Sequence, residues 1–406
     1  MAHVCFFARS LLAHGLGGNE RHAKYLIDSL IQLRHRVTVL TTRHPEGVER
    51  EEADGVEVHY LPETPVRRLS PAFWTASSQA FEMLHGRDPV DVVMDISLAG
   101  YGWANACRRN WPLPFVSFLS GGWKDILRNK WTEADGLKDM AHFLLRALPE
   151  WWLGYRRWYL GVVKSADLIL VDHPSLAQIL MNEFKVPEDK FRPALSPADV
   201  EHFRPDPTLR AHVRRKYEFG EEQPVILMTA VLSKQKGLQV GLEAISRLSG
   251  AFPDFEVLVV GGGPYEANLK GLAERLGIVG RVRFCGAVEP EAMPAYYNAS
   301  DILVNPTLRV EGMPLVIAEA MACGTPIITS AIGGIPDVVV HGNTGRLVPP
   351  GDVARLSEEI ARLLAHPEER RALAESALRY IHDNLTEKHF LQVVDETIQE
   401  VLSPKS

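Results

Sequence analysis

The sequence predicts an α/β protein of two Rossmann-like domains, each built on a parallel, doubly wound sheet. Three observations lead there: a length of 406 residues, two separate series of apolar strand-like runs alternating with helical stretches, and a proline-rich segment between them. A chain this long exceeds what one hydrophobic core ordinarily supports. With 46% hydrophobic and 23% charged residues and no long polar or low-complexity stretch, the whole of it is expected to fold.

In the first series, the apolar run Val4 to Ala8 leads through a glycine-bearing loop (His14-Gly15-Leu16-Gly17-Gly18-Asn19-Glu20) into a helical pattern at Leu26, Ile27, Leu30 and Leu33. A second run, Val37 to Thr41, completes a βαβ unit. Further runs at Val56 to Leu61, Val90 to Ile96, Phe115 to Leu119 and Asp167 to Val171 alternate with helical stretches. Pro193, Pro197, Pro205 and Pro207 then mark a linker. In the second series the strands are expected at Val225 to Ala230, Phe255 to Gly261, Val282 to Gly286, Asp301 to Asn305 and Pro326 to Thr329, β-branched runs of the kind buried on both faces. Beyond Gly351 the pattern is mostly helical.

Bulk properties exclude several classes. A net charge of -7 provides no basic surface for nucleic acid. Residues 1 to 195 carry 23 Lys plus Arg against 23 Asp plus Glu, so the net negative charge lies in the second half. Cys5, Cys107, Cys285 and Cys323 are scattered without a CxxC pair, which argues against a zinc site or a disulfide framework and fits a reducing cytoplasm. No leader is expected before the first strand, and no uncharged apolar segment reaches the length of a membrane span.

The most informative stretch runs from Asn305 to Gly324: a strand end, a loop holding Glu311, Gly312, Met313 and Pro314, and a helix from near Leu315 that closes at Gly324. A helix start at Leu315 and Val316 would offer free N–H groups and partial positive charge to a diphosphate. Glu319, just over one turn in, could accept hydrogen bonds from two ribose hydroxyls without a metal. Glu311, in the preceding loop, would face the sugar. Isolated glutamates are usually solvated side chains with no specific role, but here glycine, helix start and cap occur together.

This run resembles the family 4 retaining glycosyltransferases, also called glycosyl transferases group 1, whose hallmark is a Glu, seven residues, then Glu inside an EGxxLVxxEAMACG-like run. Similarity continues through Thr325-Pro326-Ile327-Ile328 and Gly333-Gly334-Ile335-Pro336-Asp337 to Gly342 to Asp352. The resemblance implies the GT-B architecture, two Rossmann-like parallel-sheet domains facing a cleft. It divides the chain into an acceptor-side domain at 1–195, a nucleotide-sugar-binding domain at 196–385, and a C-terminal helix at 386–406 that packs back on the first domain. It also implies backbone contacts to the donor sugar from Gly312 and Met313, with Pro314 shaping the loop because it has no N–H, and contacts to phosphate from Leu315 and Val316. Lys236, before Gly237 and just past the strand Val225 to Ala230, would neutralise the leaving diphosphate. Gly261-Gly262-Gly263-Pro264 is similar to the family's turn near the nucleotide, although tight turns need glycine regardless of ligand.

Two positions depart from the family pattern. Where an arginine usually stands five residues before the lysine, this chain has Val231; replacement by Lys234, weaker catalysis and a differently held phosphate all stay open. Where many members have a donor-contacting histidine, this chain has Ser120, which can hydrogen-bond but carries no charge.

In the first half, Gly17 and Gly18 match the family's GG-x-E start, with Asn19 and Glu20 following, and the resemblance brings this loop towards donor phosphate and acceptor. The spacing fits a dinucleotide fingerprint poorly and lacks its acidic partner, which argues against a nicotinamide enzyme. Residues 101 to 164 hold seven of the eight tryptophans and ten basic against five acidic side chains. That composition reads either as a helix-packing core with a solvated basic face or as the acceptor side, for a lipid-linked or anionic acceptor.

The resulting expectation is a cytoplasmic enzyme, peripheral at the inner membrane face, that uses a UDP-, GDP- or ADP-sugar with no cofactor and no metal. No D-x-D motif is present, and Lys236 and the helix start would supply the charge instead. Glu311 would orient and support the sugar, with a role as covalent nucleophile as the alternative. A nucleotide-sugar epimerase and a catalytically silent nucleotide-sugar-binding partner subunit are the rival readings.

Overall fold

The computed structural model describes the chain except residues 16, 134–139, 142, 249, 251, 253 and 404–406; of residues 53, 146, 147, 150, 151 and 153 it describes the backbone alone. Leu16 of the first glycine loop and the Trp151 side chain therefore lie outside the described residues. Two compact units emerge: Met1–Lys124, Ala141–Leu195 and Lys388–Ser406 form one, and Asp125–Met140 with Ser196–Glu387 the other.

The first unit is built on an eight-stranded sheet ordered β3-β4-β2-β1-β5-β6-β7-β8. Its strands are β1 His3–Phe7, β2 Arg36–Thr42, β3 Arg50–Ala53, β4 Val56–Leu61, β5 Val92–Ile96, β6 Phe115–Leu119, β7 Leu168–Val171 and β8 Phe191–Pro193. All pair in parallel except β3, which runs antiparallel to β4. Every residue of β1, β5, β6 and β7 is buried, as a sheet covered on both faces requires. The helix Gly18–Gln32 crosses from β1 to β2, burying Ala23, Leu26, Ile27 and Leu30 at helical spacing. Chain direction across the sheet reverses on either side of β1, so a switch point lies between β1 and β5, where α/β sheets commonly bind ligands.

The helix Glu387–Leu402 completes this unit. Phe390, Val394 and Ile398 enter the same core as Leu26 and Leu30, and the Phe390 ring lies 6.2 Å from that of Tyr25.

In the second unit a six-stranded parallel sheet has the order β11-β10-β9-β12-β13-β14. These are β9 Val225–Thr229, β10 Glu256–Val260, β11 Val282–Gly286, β12 Ile302–Asn305, β13 Ile327–Ser330 and β14 Arg346–Val348. The switch point here flanks β9, between β10 and β12. Side chains cap several helix starts: Asp206 accepts from the N–H groups of Thr208 and Leu209 at 2.8 and 3.0 Å, and Asp352 from that of Arg355 at 2.9 Å.

The structure differs from the sequence reading in three places. The proline-rich stretch does not begin as a linker, since Phe191–Pro193 forms β8 at the sheet edge, where proline is tolerated. β3 and β14 were not anticipated, and both are edge strands. Asp125–Met140, assigned by sequence to the first domain, groups with the second unit, because Asn129 and Glu133 bond to residues of that unit.

Candidate functional site

Most of the residues singled out from sequence meet in the second unit. Lys236 ends a single 3-10 turn, Lys234–Lys236, just beyond the carboxyl end of β9. Gly237 then takes the left-handed conformation, φ +73°, with its Cα facing the Pro306 carbonyl so closely that a Cβ would collide with that oxygen. The close approach brings the Lys236 turn against the loop after β12, and the Leu308 N–H donates to the Gln235 carbonyl at 2.9 Å.

Glu311 lies in that loop. Its Oε1 accepts a short hydrogen bond from Lys236 Nζ and also faces Arg309 Nε at 3.3 Å. The pair is partly withdrawn from solvent, with Glu311 15% and Lys236 24% exposed, whereas Arg309 is 42% exposed.

Two backbone anchors hold the carboxylate there. Asn129 pairs with both main-chain groups of Val310: its Nδ2 donates to the carbonyl and its Oδ1 accepts from the N–H, each at 2.8 Å. Behind Glu311, the Gly334 N–H donates to its carbonyl at 2.9 Å, and Gly333, φ +61°, leaves no room for a Cβ beside it.

The helix Leu315–Ala322 starts four residues after Glu311, with Pro314 at its N-cap and no side-chain cap. Helix geometry leaves the Leu315 and Val316 N–H groups without intrahelical acceptors, both residues being partly exposed, whereas the Ile317 N–H donates to the Pro314 carbonyl at 3.0 Å. Gly312 and Met313 are buried beneath them. One turn on, Glu319 is 7% exposed, and its Oε2 accepts from the Tyr297 hydroxyl at 2.7 Å. That bond occupies one of the two carboxylate oxygens the ribose reading would use. Gly261, Gly262 and Gly263 wrap the chain after β10 against residues 230–232, the Leu232 N–H donating to the Gly262 carbonyl at 2.9 Å. Val231 is 64% exposed.

The first unit treats its glycine loop differently. Gly17 caps the helix Gly18–Gln32 and Gly18 faces open space. Glu20, only 2% exposed, is held by Ser10 Oγ at 2.6 Å and Arg67 Nη2 at 2.9 Å, both on its Oε1. It therefore ties the loop after β4 to the start of the helix. Asn19 Oδ1 accepts from Ser97 Oγ at 2.6 Å, while its Nδ2 is buried without a partner. Ser97 and Leu98, directly after β5, both have positive φ, 53° and 70°, a strained turn for non-glycine residues. Ser120, half buried, directly follows β6. Asn19, Ser97 and Ser120 thus lie at the carboxyl edge of the sheet.

The tryptophan-rich window is not one face. Trp103 and Trp123 are buried, at 0% and 1%, and Trp158 packs its ring 4.7 Å from that of Trp74. Trp152, Leu144 and Leu145 are exposed, at 51%, 48% and 77%, and Trp131 lies in the segment grouped with the second unit.

Sequence reasoning missed Asn129, Tyr297 and Arg67, the side chains that position the candidate residues. It passed over Arg309, two residues before Glu311. Among the described residues no three His, Cys, Asp or Glu side chains gather in a metal-binding group, and no helix is long and apolar enough to cross a membrane.

Two Rossmann-like units, the second with an ion pair beside a helix start that no side chain caps, place the chain among α/β proteins with open, doubly wound sheets. Residues 16–201 match the family model described as Glycosyltransferase Family 4, and residues 210–380 the one described as Glycosyl transferases group 1. The chain belongs to this family of glycosyltransferases, and its fold is GT-B. Sucrose-phosphate synthase from Thermosynechococcus elongatus superposes with a TM-score of 0.80 over 100% of both chains at 19% identity. HepE of Anabaena in complex with UDP-glucose gives 0.74 over 98% of this chain and 100% of that one, also at 19% identity. A GDP-mannose-dependent alpha-(1-6)-phosphatidylinositol monomannoside mannosyltransferase of Mycolicibacterium smegmatis is 33% identical over 192 residues, 46% of this chain and 50% of that protein. The chain thus matches about half the length of that curated relative.

Proposed function

We propose that the protein is a retaining, metal-independent glycosyltransferase that moves a hexosyl-type sugar from a nucleoside diphosphate sugar to a glycan, lipid-linked or small-molecule acceptor. The observation that carries this reading is the convergence of Lys236 and Glu311 beside the uncapped start of Leu315–Ala322. A cation and free N–H groups flank the place where a leaving diphosphate would develop charge, and a carboxylate stands on the sugar side.

In this reading the bond from the anomeric carbon to the diphosphate oxygen breaks, and the nucleoside diphosphate leaves with the electron pair. The acceptor hydroxyl bonds to that carbon on the same face and gives its proton to the departing phosphate oxygen, so no protein base is required. Lys236 and the helix start stabilise the leaving group. Glu311 orients the sugar and supports positive charge at its anomeric carbon. Gly312 and Met313 supply backbone groups to the sugar, Leu315 and Val316 supply them to phosphate, and Pro314 sets the turn between. Glu319, one turn into the helix, stands on the ribose side. Gly17, Gly18, Asn19 and Ser120 would act at the carboxyl edge of the first unit's own sheet, with Glu20 as a support there.

The donor is a UDP-, GDP- or ADP-sugar. The relative named for GDP-mannose makes that sugar the first to test, and its lipid acceptor makes phosphoinositol lipids the first acceptors. Exposed Leu144, Leu145 and Trp152 with exposed Arg156 and Arg157 support a peripheral contact with an anionic membrane. Turnover of a nucleotide sugar in the presence of a chelator, with matching mass gain on the acceptor, tests the reading. Val231 and Ser120, uncharged where the family usually has charged or titratable groups, favour one rival, a silent nucleotide-binding partner subunit; it would bind donor without turnover.

A further inference from the structure

We propose that Arg309 is the second cation of the diphosphate site, and that Glu311 occupies the resulting cation pair while the site is empty. This assignment rests on the glycosyltransferase reading of the same site. A leaving nucleoside diphosphate carries at least two negative charges, and Lys236 alone matches one. Val231, two residues beyond β9, brings no charge although it is 64% exposed. Arg309 comes from a different loop, and its Nε stands 3.3 Å from the same Glu311 oxygen that accepts from Lys236 Nζ.

A single carboxylate oxygen where two cations meet is placed as a phosphate oxygen would be. The surrounding backbone keeps the cations together. Leu308 is bonded to the Lys236 turn through the Gln235 carbonyl, the Arg309 N–H donates to Thr307 Oγ1 at 3.2 Å, and Val310 is held on both sides by Asn129. Arg309 is the most exposed of the three charged groups, so an incoming anion can reach it without unfolding the loop. When the diphosphate enters, it takes both cations, and the displaced Glu311 carboxylate turns to the sugar. The exchange replaces one anion with another, so neither cation is left unpaired in a partly buried place.

Titration calorimetry with inorganic pyrophosphate, GDP and UDP, set against GMP and UMP, tests this on the full chain. Arg309→Ala is expected to weaken pyrophosphate and the tighter diphosphate about tenfold, to change the monophosphates less than twofold, and to be largely restored by Arg309→Lys. Lys234→Ala is expected to leave both unchanged, and Glu311→Gln to bind diphosphate at least as tightly as wild type. Full affinity in Arg309→Ala, loss in Lys234→Ala instead, or no diphosphate binding by the wild-type chain would each overturn the assignment. Arg309-dependent pyrophosphate binding without sugar transfer would keep this assignment and remove the glycosyltransferase reading. Transfer with unchanged donor affinity in Arg309→Ala would do the reverse.

Discussion

Glu311 and Glu20 each sit beside a glycine-bearing loop at the carboxyl edge of a parallel sheet, yet their surroundings are opposite. Glu311 is anchored by its backbone, through Asn129 and Gly334, and its carboxylate meets two basic side chains, one of them well exposed. Glu20 is anchored by its carboxylate, which Ser10 and Arg67 engage in the interior. A reactive acid and a structural one are thus told apart by what holds them. Where backbone bonds fix the residue, the side chain is left for a ligand; where internal partners take the side chain, it serves the fold.

Replacing each acid should therefore fail in a different way. Glu311→Gln is expected to lower kcat by about 10²- to 10³-fold with nucleoside diphosphate affinity unchanged or raised by up to a few-fold, read from steady-state kinetics and calorimetry. A fully active variant would remove Glu311 from the mechanism.

A buried acid in the first unit sharpens the contrast further. Asp95, fully buried on β5, has its carboxyl pushed up to about 7 by burial, against the opposing hydrogen bond from the Gly100 N–H at 2.7 Å. The unfolded chain releases this proton near pH 4 and the folded chain only near 7, so Asp95 costs stability as pH rises between them, up to about 4 kcal/mol. His22, lowered to about 4 by burial, works oppositely, losing stability as pH falls from about 6.5 to 4. The decisive quantity is thus the difference in Tm between Asp95→Asn and wild type, which should grow in favour of the variant from pH 4 to 7. A difference flat with pH would contradict the buried neutral carboxyl.

Glu20→Ala should cost about 2 to 3 kcal/mol in the first unit, seen as a fall of about 5 to 10 °C in its melting transition, with diphosphate affinity unchanged. If diphosphate binding fell instead and Tm held, Glu20 would belong with Glu311. The smallest expected effect is that of Asn129→Ala, about a tenfold loss in kcat as the Val310 anchor is lost, with Tm lowered by only a few degrees.

The strands at the centre of each sheet were legible because both their faces are buried, so β1, β5, β9 and β12 read as mostly apolar runs. The edges were not. β3 is Arg-Glu-Glu-Ala, β8 holds Pro193 and β14 is three residues long, all devices that blunt an exposed edge and erase the apolar signal. The same holds for the site. The segment from Glu311 to Gly324 is contiguous, so its loop and helix could be read directly. Asn129 lies 181 residues from the Val310 it holds, and Arg67 lies 47 from Glu20; no local spacing marks either. Arg309 was in plain view within the motif, but only the structure shows that it shares an oxygen with Lys236.

Sugar transfer at the Lys236 and Glu311 site is read out by a mass-spectrometric donor screen. UDP-, GDP- and ADP-sugars, GDP-mannose first, would be offered with pooled glycan and phosphoinositol-lipid acceptors in the presence of a chelator. Release of one nucleoside diphosphate with a matching hexose gain on an acceptor, abolished in Glu311→Gln, is the predicted result. An altered nucleotide sugar formed without acceptor, or donor bound with no turnover, would contradict it.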